Sequence, residues 1–117
     1  MQIIIRIEDK TVTAFLNNSE AARNFASLLP LRLTLKDYAA TEKVADLPAR
    51  LKTEGAPAGH DPEPGDIAYY APWGNLAIFY KDFAYSRGLV HLGKIESGLD
   101  VLRQSGSLEA TIELQNK

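Results

Sequence analysis

Apolar and polar residues alternate with a period of two over several stretches, the mark of half-buried β-strands. Ile3, Ile5 and Ile7 alternate with Ile4, Arg6 and Glu8. The short polar run Glu8-Asp9-Lys10 predicts a turn, and Thr11-Val12-Thr13-Ala14-Phe15-Leu16 predicts the returning strand, rich in β-branched and aromatic residues that suit a pleated surface. Leu31, Leu33 and Leu35 alternate with Arg32, Thr34 and Lys36. Leu108, Ala110, Ile112 and Leu114 alternate with Glu109, Thr111 and Glu113. Between the first hairpin and Leu31 the period changes. Ala21, Phe25 and Leu28 recur at helical spacing, with Ala22 and Leu29 beside them. Asn17, three residues before Glu20, reads as a capping-box variant, with Asn18 or Ser19 as other caps, and Pro30 ends the helix.

The stretch from Asp37 to Pro64 is the least regular. Tyr38 to Val44 predicts a weak strand, and Leu47-Pro48-Ala49-Arg50-Leu51 a single helical turn with proline at its start. Gly55 to Gly65, punctuated by Pro and Gly, predicts an exposed loop. Ile67 to Ala71 and Leu76 to Tyr80 predict a second hairpin around the turn Pro72-Trp73-Gly74-Asn75. Lys81 to Gly88 reads as a loop and Leu89 to Ile95 as a further strand. Ser97 with Asp100 marks a second helix start, ended by Gly106. Seven or eight strands in hairpin order with two short helices favour a closed antiparallel barrel, plugged at its ends by the helices.

With 117 residues, 45% hydrophobic and 24% charged, the chain is expected to form one domain over residues 1–117 with a core of its own. Thirteen Lys+Arg against fifteen Asp+Glu give a formal charge of −2, which argues against a nucleic-acid partner. No apolar run approaches the ~20 residues of a membrane span. The N-terminus enters a strand pattern at once, so no signal peptide is expected. The absence of cysteine removes disulfides, thiolate zinc sites and cysteine nucleophiles, and fits a cytoplasmic location.

Candidate chemistry concentrates between positions 69 and 85. Tyr69, Tyr70, Trp73, Phe79, Tyr80, Phe83 and Tyr85 lie there. Such a group either fills a core or rims a small-ligand or peptide pocket. Trp73, in a Pro-x-Gly turn, is expected to be exposed. Arg87, on the preceding loop of the Leu89 strand, suits a ligand carboxylate or carbonyl, or is simply solvated. His91 reads either as a general base or as a strand histidine with its hydrogen bond satisfied; without a Ser or Cys nucleophile of recognisable context, the second is expected. His60-Asp61-x-Glu63 with Asp66 fits neither an EF-hand nor a zinc spacing, so no metal and no cofactor is expected. Gly88 and Gly93 lack the context of a phosphate-binding loop.

The order of elements and two segments resemble cyclophilins. Ser19-Glu20-Ala21-Ala22-Arg23-Asn24-Phe25 is similar to the cyclophilin helix after the second strand. His91-Leu92-Gly93-Lys94-Ile95-Glu96-Ser97-Gly98-Leu99-Asp100-Val101-Leu102 is similar to that family's strand, Gly-Lys-Val and following helix. Leu76 to Tyr80 sits where cyclophilins carry a Gln-Phe-Phe-Ile strand. The resemblance is closer still to a family of small prokaryotic cyclophilin-like proteins, through Gly65-Asp66-Ile67-Ala68-Tyr69-Tyr70, Pro72, Leu76 to Tyr80 and Gly93-Lys94-Ile95. It implies a mainly β fold, a closed antiparallel cyclophilin-like barrel with two short capping helices.

The resemblance breaks at the isomerase residues. Cyclophilins carry an arginine on a Phe-His-Arg-Val strand, followed by Phe-Met-x-Gln-Gly-Gly; neither segment is present here, and Arg50 is the nearest candidate. The pocket tryptophan and histidine fall at Ala84 and Leu89, whereas the pocket phenylalanine is kept as Phe79. No catalytic residue is therefore assigned. The expected function is binding of a small molecule or peptide in a groove formed by Tyr70, Trp73, Phe79, Tyr85 and Arg87. The alternative is a divergent peptidyl-prolyl cis-trans isomerase with Arg50 or Arg87 supplying the cation. A third reading makes the exposed aromatics a homodimer face.

Overall fold

In the computed structural model, which describes residues 1–115, the first alternating run becomes the hairpin β1 (Gln2–Ile7) and β2 (Lys10–Leu16). Ile3, Ile5 and Ile7 are essentially inaccessible, as the alternation requires of an inward face. Helix α1 (Glu20–Ser27) follows. Ser19 is its cap: its Oγ accepts from the Ala22 N–H at 3.1 Å, while Asn17 Oδ1 accepts from the Ser19 N–H and hydroxyl. Ala21, Ala22, Phe25 and Ala26 turn into the barrel mouth. The remaining elements are β3 (Leu31–Tyr38), β4 (Glu42–Asp46), β5 (Gly59–His60), β6 (Asp66–Tyr70), β7 (Asn75–Phe79), β8 (Ser86–Arg87), β9 (Leu89–Ser97), α2 (Leu99–Leu102) and β10 (Leu108–Leu114). The second helix is one turn long, has Gly98 at its N-cap and buries Val101 and Leu102.

Eight strands close a barrel in the order β1-β10-β3-β4-β7-β6-β9-β2, every pairing antiparallel. The short strands β5 and β8 form a separate ribbon, joining the two long loops on either side of the second hairpin. One seam of the barrel is only partly zipped: β3 meets β4 through Lys36–Tyr38 alone, pairing with Glu42–Val44. Among the described residues, no helix is long and apolar enough to cross a membrane.

The middle of the chain departs from expectation. The predicted strand over Tyr38 to Val44 is instead a turn, with Ala39 and Ala40 at positive φ, followed by β4. Residues 47–51 form no helical turn; Leu51 is buried, and its N–H donates to the Tyr69 hydroxyl at 3.2 Å. The two loops predicted around 55–65 and 81–88 each contribute a two-residue strand.

Two apolar clusters result. The larger fills the barrel, with Ile5, Phe25, Leu35, Tyr69, Leu76, Ile78 and Leu92 among its members. The smaller lies on the opposite face of the same strands: Ala68, Ala77, Phe79 and Leu89, with Val44 and Tyr70 packed against them. This outer cluster is the floor of the candidate site.

An aromatic cleft on the outer barrel wall

Strands β4, β7 and β6 lie side by side, so residues two apart on each face outward together. Glu42 and Val44 on β4, Phe79 on β7 and Tyr70 on β6 thereby line one cavity of about 140 Å³. The turns at its rim add Tyr38, Trp73 and Phe83. The Trp73 ring stands nearly perpendicular to both tyrosines, with ring centroids 5.7 Å from Tyr38 and 5.3 Å from Tyr70. Phe83 leans over Phe79 at 6.4 Å. Trp73 is 57% exposed, so a large indole surface remains in water unless something covers it.

Of the residues expected to form a ligand groove, the fold brings Tyr70, Trp73 and Phe79 together here. Tyr85 and Arg87 do not line the cleft. Tyr85 lies across Gly59, where an added Cβ would meet its hydroxyl at 2.7 Å, and Arg87 is an exposed residue of the β5–β8 ribbon. Arg50 is also elsewhere: its Nη1 donates to the Ala71 carbonyl at 2.8 Å. No arginine therefore lines the cleft among the described residues.

Phe83, one of the clustered aromatics, joins the cleft although it was not among the expected groove residues, and Tyr38, Glu42 and Asn75 are cleft residues that the sequence does not announce. Glu42 is only 8% exposed, and its side chain receives one hydrogen bond, from Thr41 Oγ1 at 3.3 Å. The neighbouring cation, Lys43, points to the other face and pairs with Asp37 at 3.0 Å. Burial pushes the Glu42 carboxyl up to about 7, against the weaker pull of the Thr41 hydrogen bond. Asn75 shares the wall, and its Oδ1 is buried without a hydrogen-bond partner among the described residues.

This has a consequence for stability. From about pH 4.5 to about 7 the folded chain keeps a proton on Glu42 that the unfolded chain releases. Raising the pH through that window should therefore cost stability, roughly 2–3 kcal/mol from this group. Urea denaturation at several pH values should show the slope, and Glu42→Gln should flatten it. An unchanged slope in the variant would assign the effect to another group.

A second cavity, of about 430 Å³, opens between the start of α1 and the 53–60 loop. Its wall includes Asn17, Glu20, Glu54, His60 and His91. Next to it lies Asp66, 3% exposed, at the start of β6. His60 Nε2 is 2.9 Å from Asp66 Oδ2, and His91 Nε2 is 3.4 Å from Asp66 Oδ1. Burial alone would raise the Asp66 carboxyl; the Glu63 N–H, His60, His91 and Lys94 outweigh it and hold the group below its usual range. The expectation of a satisfied His91 is corrected here: its Nε2 is buried and makes no hydrogen bond among the described residues. The antiparallel pairing of Ala68 with His91 sets the ring beside Asp66, a contact across strands that local spacing does not reveal.

Comparison with known proteins agrees with the architecture. No curated protein matches the chain. The solution structure of a hypothetical protein from Archaeoglobus fulgidus superposes with a TM-score of 0.77 at 20% sequence identity, covering 98% of this chain and 95% of that one. At that identity the likeness speaks for the fold alone. Residues 5–113 match the Cyclophilin-like family, and with the closed eight-stranded barrel this establishes that the chain belongs to the cyclophilin-like family.

Proposed function

We propose that the chain is a binding protein whose outer-wall cleft takes the cationic head of a small molecule or of a peptide side chain, an ammonium or guanidinium group. The observation that carries this reading is Glu42: a buried carboxylate with no cation beside it, set at the base of an aromatic-walled cleft. Among the described residues no lysine or arginine pairs with it. A buried, uncompensated carboxylate is costly, and an incoming cation relieves that cost. The faces of Tyr38, Tyr70 and Trp73 attract the same charge through their ring quadrupoles. Asn75 offers an amide to a donor on the ligand. Prolyl isomerisation finds less support, because Arg50 and Arg87 both lie away from Phe79.

Trp73 is the chain's one tryptophan, so its fluorescence reports the cleft. Choline and its neutral carbon isostere 3,3-dimethylbutanol should be titrated in parallel. The quaternary ammonium should bind roughly tenfold more tightly, the equivalent of ~1.4 kcal/mol. Its affinity should rise as the pH passes about 7, where Glu42 ionises. Glu42→Gln should abolish both the charge preference and the pH dependence. Equal affinity for the two probes would retain the cleft as a site but remove the cation, and silence with both probes would remove this reading.

A further inference from the structure

We propose that His60, Asp66 and His91 form a divalent-metal site, of the borderline first-row class that includes Zn²⁺ and Co²⁺, independent of the aromatic cleft. The three residues come from β5, β6 and β9, and their ligand atoms all lie within 4.8 Å of one another. In a tetrahedral site with bonds of ~2.0–2.1 Å, neighbouring donors are about 3.3 Å apart. The two contacts to Asp66, at 2.9 and 3.4 Å, already bracket that spacing. Two imidazoles and one carboxylate suit zinc, cobalt, nickel or ferrous ions, whereas calcium and magnesium prefer all-oxygen shells.

Two further observations point to an occupant. His91 Nε2 is a buried nitrogen that, though 3.4 Å from Asp66 Oδ1, has no hydrogen-bond partner among the described residues, a condition that ordinarily costs free energy and that a metal would relieve. Both imidazoles also line the larger cavity, so the positions left free on the ion would face a space wide enough for water or an organic ligand. The Asp66 carboxylate is already oriented, accepting from the Glu63 N–H at 2.9 Å.

Loading the site asks for two adjustments. The imidazole rings are stacked, 4.5 Å apart and 13° from parallel, so one must turn to bring both lone pairs onto a single ion. Lys94 Nζ, 3.5 Å from Asp66 Oδ1, must yield to the incoming charge. It is half exposed and already reaches Glu63 at 3.1 Å, which leaves it a partner on the solvent side.

The test uses the untagged chain, first stripped with a chelator. Co²⁺ should bind one ion per chain and give visible d–d bands of a low-coordinate nitrogen and oxygen site, and Zn²⁺ should displace it. His60→Ala and His91→Ala should each weaken binding beyond the roughly 10–100-fold that losing an outer-shell partner costs. Trp73→Phe, in the other cavity, should leave it unchanged. Circular dichroism of each variant checks that it folds; if one histidine variant does not, the other decides. Absence of a Co²⁺ spectrum at millimolar metal, or binding that survives loss of either histidine in a folded variant, overturns the proposal.

Discussion

Gly93→Ala should destabilise the chain by more than about 3 kcal/mol, enough to unfold a marginal domain. Gly93 sits in β9 between two neighbours, paired with Leu16 of β2 and Ile67 of β6. A Cβ there would meet the Phe15 carbonyl oxygen at 2.1 Å and the Leu16 Cα at 2.9 Å. Both are backbone atoms, so no side chain can swing aside, and relief requires β2 and β9 to separate. The strand that would move also carries His91. Chemical denaturation of the variant should show the loss directly, and a change below about 1 kcal/mol would mean that the strands can part cheaply.

Lys43→Met should cost about 3 kcal/mol, even though it replaces a charge by an apolar chain of similar length. The Lys43 side chain is fully buried. Its ammonium donates to the carbonyls of Gln104 and Gly106, the latter at 2.8 Å, and pairs with Asp37. Asp37 in turn accepts from the Tyr80 hydroxyl at 2.7 Å, a contact that chiefly holds the Asp37 carboxyl below its usual range. Burial, with Asp37 adding to it, pushes the Tyr80 phenol up to about 12. Methionine keeps the packing of the stem and leaves the carbonyls and the carboxylate without their cation. Replacing both Lys43 and Asp37 by apolar residues should cost less than the sum of the single changes, which a double-mutant cycle would detect. Strict additivity would show that the network is not coupled.

Lys43 also explains why β4 was hard to read. Strand patterns are legible where apolar residues face in and polar residues face out, as in β1, β3 and β10. In β4 the order is inverted at its centre: Lys43 points in, while Glu42 and Val44 face the outer cleft. Alternation then suggests the wrong face, and the strand blurs into its turn. β5 and β8 are invisible for another reason, since two residues carry no period. The cleft was legible only in its local half. Tyr70, Trp73 and Phe79 belong to one hairpin, and proximity in sequence stands for proximity in space. Tyr38 and Glu42 face each other across the β3–β4 turn and reach Phe79 only through the register of β4 with β7. Asp66 and His91 meet only because β6 and β9 pair, and His60, 31 positions before His91, arrives on β5, which packs against β9.

The half-zipped seam between β3 and β4 bears on how the protein behaves when crowded. A barrel offers few free backbone donors and acceptors to a passing strand, and within its wall the opening for one lies where the hoop gapes. Arg32, Lys36 and Asp46 border that gap, all exposed. A foreign strand slotting in would strip water from these charges before gaining its first hydrogen bonds. The weak place in the wall is thereby guarded against fibril growth.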